Sequence, residues 1–315
     1  MSEIDMAGPH AFSSSALQSS ALLIFVGIAW GSTFSLAKIA TAAGTHPLAL
    51  NLWQALFGFI VLYGFVRLRG KRLPMTRRHL TFYVVAGLIG TALPGTLYFF
   101  AARHLSAGVL AITIATVPMM TLVLALALAM ERLVLTRLIG ISLGVVAILL
   151  IMLPDTSLPH RDDGIWVLVA VACALCYSCE NIYISRRVPR GIDASTLLCG
   201  MQLMATFMTA SAAIIFGANW MPSLPFTETE WAVVAMAIIN AFAYGGFVHL
   251  VSTAGPVFAS QTAYVVTLSG IAWGIFLFGE EHAIWIWLAT AMMLVGLALV
   301  RPTDQPARHR ATETS

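Results

Sequence analysis

The chain reads as an all-α membrane protein of about ten transmembrane helices, arranged as two inverted five-helix repeats. Three observations predict that class. The sequence is 59% hydrophobic and 10% charged, where soluble domains carry roughly 25% charge. Its apolar residues gather in stretches of roughly 17–25, enough at 1.5 Å per helical residue to cross a hydrocarbon core of about 30 Å. The later stretches also echo the earlier ones. A closed β-barrel would need apolar and polar residues to alternate over about ten positions, and runs such as Leu122–Met130 and Val233–Ile239 do not alternate.

The spans are placed in chain order. Residues 1–20 form a tail with several serines but no Lys or Arg, so they lack the basic leader of a secretory signal peptide and the first helix is expected to be retained. The first repeat, residues 21–153, holds spans at Ala21–Ala43, Pro47–Val66, Leu80–Ala101, Ala107–Met130 and Leu138–Leu153. Pro94 with Gly95 in the third span, and Pro118 in the fourth, weaken helical hydrogen bonding and mark kinks or hinges. The second repeat, residues 164–300, holds spans at Gly164–Ile184, Ala194–Gly217, Trp231–Val251, Pro256–Phe278 and Ala283–Val300, followed by a tail over 301–315. Gly140 with Gly144 and Gly270 with Gly274 form GxxxG pairs suited to close helix packing inside the bundle.

Charge sets the expected orientation. One set of loops contains Arg67, Arg69, Lys71, Arg72, Arg77, Arg78, Arg132, Arg137, Arg186, Arg187 and Arg190, and the C-terminal tail adds Arg301, Arg308 and Arg310. The opposite loops hold Arg103 and Arg161. This asymmetry predicts both termini on the cytoplasmic side of a plasma (bacterial inner) membrane. Trp166, Trp220, Trp231, Trp285 and Trp287 then fall near the outer interface, where amphipathic rings are favoured. The net charge of +3 follows topology, and no nucleic-acid partner is implied. Cys173, Cys176 and Cys179 sit in the sixth span and Cys199 in the seventh, which implies packing and neither a disulfide framework nor a metal site.

The fourth and fifth spans ("SAGVLAITIATVPMM" through "MER" and "LIGISLGVVAILL") align with the ninth and tenth when Glu131 is set against Glu280. An odd number of spans per copy inverts the second copy, and inverted repeats commonly place a binding site between the halves. Glu131 and Glu280 are expected to cap the helices that follow them, the fifth and tenth. With "WGSTFSLAK" (Trp30 to Lys38), "SAGVLAITIATVPMM" followed by "MER", and "GEE" at Gly279, nearly the whole chain resembles the EamA-domain exporters of the drug/metabolite transporter (DMT) superfamily. The resemblance implies ten helices in two inverted halves and a central cavity lined mainly by the first, third, sixth and eighth helices. It also implies transport, often export, of amino acids or related metabolites. The sequence departs at Gln54, where many members have Arg, and at Thr267, where many have Pro, so the substrate does not carry over.

Lys38 and Glu180 interrupt apolar spans, and an ionisable group near a helix centre costs roughly 2.5–3.5 kcal/mol on insertion scales. Their depths differ by on the order of 16 Å, which argues against a direct ion pair. They are expected to line opposite ends of one polar path, Lys38 attracting a carboxylate and Glu180 an amine or a proton. The competing reading has Lys38 snorkelling to the headgroups and Glu180 bonding a neighbouring helix. Helical spacing sets Tyr177 on the Glu180 face, with Asn181 beside it and Tyr183 a turn further. Trp30 and Trp273, mid-span, are read as cavity walls or as core. Gln54, Asn240 and His249, with Asn51, Gln202 and Gln261, need a partner or water at membrane depth.

The expected function is therefore an alternating-access secondary transporter that exports small metabolites such as amino acids, with protons as the candidate coupling ion and a homodimer as a candidate assembly. A passive facilitator or channel, or a membrane receptor or assembly subunit, are the alternatives. An intramembrane enzyme would need a paired acid, a Ser with a His, or a metal cluster at depth. None is legible, so no enzymatic activity and no cofactor are expected.

Overall fold

The computed structural model describes residues 14–153, Leu158 and 161–300, so the C-terminal tail with Arg301, Arg308 and Arg310, and residues 1–13, lie outside it. The described residues form an all-helical bundle. We label its membrane-length helices α1 (Ser14–Ala42), α2 (Pro47–Leu68), α3 (Arg77–His104), α4 (Ala107–Ala127) and α5 (Leu135–Met152), then α6 (Gly164–Arg187), α7 (Ala194–Ile215), α8 (Glu228–Ala254), α9 (Val257–Phe278) and α10 (Ile284–Val300). Nine of them are long and apolar enough to cross a bilayer, and α10 is a shorter apolar helix. The first helix begins at Ser14, inside the segment read from sequence as a tail.

Local chemistry sets the helix ends. His46 caps α2 by accepting the Leu48 N–H at 3.2 Å, with Pro47 in the first turn. Ser106 caps α4 through the Val109 N–H. Glu230 closes a capping box with Thr227 and also accepts from the Ser223 N–H and hydroxyl. Gly255 ends α8 at φ 88°, and Gly279 ends α9 in the left-handed conformation at φ 61°.

Packing follows the small residues. Helix α1 runs between α8 and α9, α2 lies against α7 and α8, α3 against α6 and α7, α4 against α6 and α9, and α5 against α10. Gly27 and Gly31 seat α1 directly on the α9 backbone around Val266 and Gly270, and Gly140 meets Gly296 between α5 and α10. Both GxxxG pairs are thus used inside the bundle, since Gly144 faces Met119 and Gly270 faces Ala111. Large apolar side chains such as Phe25, Phe207, Phe216 and Phe276 point outward and stay exposed, as lipid-facing surface should. The arginine-bearing loops after α2, α4 and α6 gather at one end of the bundle, called here the arginine end. The five interfacial tryptophans fall at the starts of α6, α8 and α10 or just beyond α7, and so at the opposite end.

Candidate functional site

Helix α3 is not continuous. Pro94 has no N–H to give to the Gly90 carbonyl four residues back, and over Leu88–Ala92 the helix widens into a π-turn, with the Leu93 N–H reaching the Leu88 carbonyl. Two neighbours grip the distortion. Asn51 of α2 donates to the Ala92 and Thr91 carbonyls at 2.8 and 3.3 Å and to the Thr96 hydroxyl at 3.0 Å. Cys173 of α6 donates its thiol to the Pro94 carbonyl. Asn51, one of the polar groups noted in the sequence, thereby acts as helix-to-helix structure.

The Glu180 carboxylate rests on the π-turn, so close to Gly90 that a methyl group built there would overlap it. It is the one acidic side chain deep within an apolar helix, and no hydrogen bond or ion pair reaches it among the described residues. Tyr177, one turn away on α6, and Tyr244, from α8, lie within its electrostatic reach. Tyr98 of α3 stands near Tyr177 and donates its hydroxyl to the Thr33 carbonyl of α1 at 3.2 Å. A carboxylate on the α3 π-turn with the Tyr177 and Tyr244 phenols within electrostatic reach is able to hold a proton or a cationic amine.

The other expected residues scatter around this centre. Trp30 and Asn240 are brought together, the indole N–H donating to the amide oxygen at 2.9 Å across α1 and α8. Asn181 reaches toward the Thr121 hydroxyl at 3.4 Å and lines a cavity of about 340 Å³ at the arginine end, shared with Pro118, Glu131, Arg137 and Tyr264. Trp273 donates to the Ile28 carbonyl and sits edge-on to the outward-facing Phe276, at the α1–α9 seam. Gln54 is half-buried on α2 and His249 is exposed on α8. Tyr244 was not singled out from sequence, because a tyrosine in an apolar span reads as packing until a neighbouring helix is known to bring a carboxylate to it.

At the opposite end, Lys38 pairs with Glu280 at 2.9 Å. Glu280 also accepts the Ala107 and Gly108 N–H groups at 2.8 and 3.2 Å. The sequence expectation that Glu280 caps the following helix is corrected here: the free N–H groups it satisfies open α4, from the other half of the chain. Glu131 likewise pairs with Arg137 at 2.9 Å, while Val134, at the start of α5, shows no side-chain cap. His282 stands 3.5 Å from Glu280 without a hydrogen bond, against Gly108, and Lys38 lies 5.0 Å over the Phe278 ring. Burial pushes the His282 imidazole below its ordinary value, Glu280 opposes and Lys38 assists. No group of His, Cys, Asp and Glu suited to a metal ion occurs among the described residues.

Residues 18–153 match the EamA-like transporter family. The chain is 24% identical over 275 residues, 87% of its own length and 87% of the relative's, to the uncharacterized inner membrane transporter YedA of Escherichia coli K12, and matches that of the O157:H7 strain equally. A solved crystal structure shares the fold at a TM-score of 0.62 and 20% identity, covering 90% of this chain and 96% of that one.

Proposed function

We propose that the chain is a secondary transporter that exports small amine-bearing metabolites, such as amino acids, by alternating access; the match of residues 18–153 to the EamA-like transporter family and the likeness of most of the chain to an inner membrane transporter of Escherichia coli support this reading. The observation that carries this reading is the Glu180 carboxylate, left without a protein partner at membrane depth and held against the α3 π-turn. A half-buried carboxylate at membrane depth is costly unless a partner or a proton arrives, and in a transporter that partner is cargo or coupling ion.

The packing pattern supports two inverted repeats, residues 21–153 and 164–300. Exchanging the halves turns the α1–α8 contact into α6–α3, α1–α9 into α6–α4 and α2–α8 into α7–α3, and each of those contacts is present. The α2–α7, α4–α9 and α5–α10 contacts map onto themselves. Two halves related in this way can rock about a shared axis. In the conformation described, the Lys38–Glu280 latch ties α1, α4 and α9 together at one end, while the Asn181-lined cavity lies at the other. With the arginine end taken as cytoplasmic, the latch closes the outer end, and Lys38 serves as a gate residue there.

The test is flux into proteoliposomes of a labelled amino-acid pool, with and without an imposed pH gradient. Substrate-specific accumulation in the wild type that Glu180→Gln abolishes supports the proposal. Flux that Glu180→Gln leaves unchanged removes Glu180 from the path, and flux that never exceeds equilibration points to a facilitator.

A further inference from the structure

At the arginine end a cleft of about 620 Å³ opens between α3 and α6. Arg77 and Arg78 stand on one wall and Arg186 and Arg187 on the other, with the stacked rings of Phe82 and Tyr183, 5.1 Å apart, between them. All four arginines are exposed. None forms a salt bridge to a carboxylate among the described residues, and the nearby Asp193 is already taken by Lys71 at 3.0 Å. We propose that this cleft binds the headgroup of an anionic phospholipid from the leaflet bordering that end.

Helix electrostatics separate the two walls. Arg186 and Arg187 occupy the last turn of α6, where the helix dipole favours a cation. Arg77 and Arg78 occupy the first turn of α3, where it disfavours one, and Thr76 supplies no side-chain cap to the free N–H groups there. Four guanidiniums and an uncapped helix N-terminus therefore converge without an opposing charge. A phosphodiester relieves this arrangement, since guanidinium forks and helix N-termini both bind phosphate oxygens.

The surface below the cleft favours a lipid over a free anion. Arg77, Thr81, Val84 and Leu88 recur at helical spacing along α3, and all four are exposed. One stripe therefore runs from a guanidinium through a hydroxyl to two aliphatic side chains, matching the order of phosphate, glycerol and acyl chain along a phospholipid.

The experiment is titration of the full-length, delipidated protein in neutral detergent with phosphatidylglycerol or phosphatidylcholine, read by native mass spectrometry. Tighter binding of phosphatidylglycerol is expected. Arg77→Gln with Arg78→Gln should weaken it about twenty-fold, and Arg78→Gln or Arg186→Gln alone about fivefold each, which keeps the test open if the double variant does not fold. Arg67→Gln with Arg132→Gln removes the same charge from the same end outside the cleft and should change affinity less than about twofold. Equal losses in the two double variants would reduce the effect to general surface potential and overturn the site. So would equal binding of the two lipids, and full displacement by millimolar inorganic phosphate would reassign the cleft to a free anion.

Discussion

Glu280 and Glu180 are both acidic side chains at or within the helices of one bundle, and their surroundings differ in every respect that matters. Glu280 has a lysine partner and two backbone N–H donors, and its side chain is only 6% exposed. Glu180 has a glycine, a widened helical turn and nearby tyrosines, with no donor supplied. A buried carboxylate whose lone pairs are satisfied by fixed partners stabilises one conformation. One without partners leaves its desolvation cost to be offset by something that comes and goes. If the proposed function holds, the contrast predicts that Glu280 holds a state and Glu180 responds to a ligand, and substitution can break it.

The largest effect is expected at Glu280. Glu280→Ala strands Lys38 and uncaps α4 together, at a cost of about 3 kcal/mol, lower than a fully buried pair would give because Lys38 is a third exposed. Thermal melting in detergent reads this, and a loss under about 1 kcal/mol would mean the latch contributes little. Glu180→Gln should do the reverse. Neutralising an unpartnered carboxylate leaves the melting temperature unchanged or raised, while flux falls at least a hundredfold, about 2.7 kcal/mol of lost transition-state stabilisation. Equal destabilisation by the two substitutions would erase the distinction between them.

Gly90 gives the intermediate case. Gly90→Ala places a methyl group where the Glu180 carboxylate now lies, so the side chain must swing away from the π-turn. A loss of flux of about tenfold and of stability of about 1–3 kcal/mol is expected. In Gly90→Ala with Glu180→Ala the clash is gone, and stability should return. Failure to recover in the double variant would place the cost in the α3 backbone and not in the carboxylate.

The helices and the Glu180 centre were legible in the sequence for one reason: solvent chemistry. A charge inside an apolar stretch stands out wherever the chain folds, and the hydropathy that marks a span needs no knowledge of its neighbours. The partners were not legible. Glu280 was assigned to the helix next in sequence, when the N–H groups it satisfies belong to α4, 173 residues away. Pro94 marked a kink, but the π-turn depends on Asn51 and Cys173 gripping it from other helices. Tyr244 carried no signal at all, because a tyrosine on one apolar helix does not reveal a carboxylate within electrostatic reach on another.

The smallest effect is expected from pH at the latch. Burial and Lys38 together hold the His282 imidazole below its ordinary value of 6.5, with Glu280 pulling the other way. The unfolded chain therefore takes up a proton at a pH where the folded chain does not, and stability must fall as pH drops below about 6.5, levelling off once the folded form also protonates. Glu280, Lys38 and the α4 N-terminus are the charged or dipolar groups facing the ring. In His282→Gln that slope should disappear while the Lys38–Glu280 pair persists, so melting curves at pH 8 and pH 5 should lie closer together than in the wild type. An unchanged slope would locate the acid sensitivity elsewhere and leave the latch indifferent to the pH on its side of the membrane. A reduced slope would mean that acid on that side weakens the contact that holds the latch end of the bundle together.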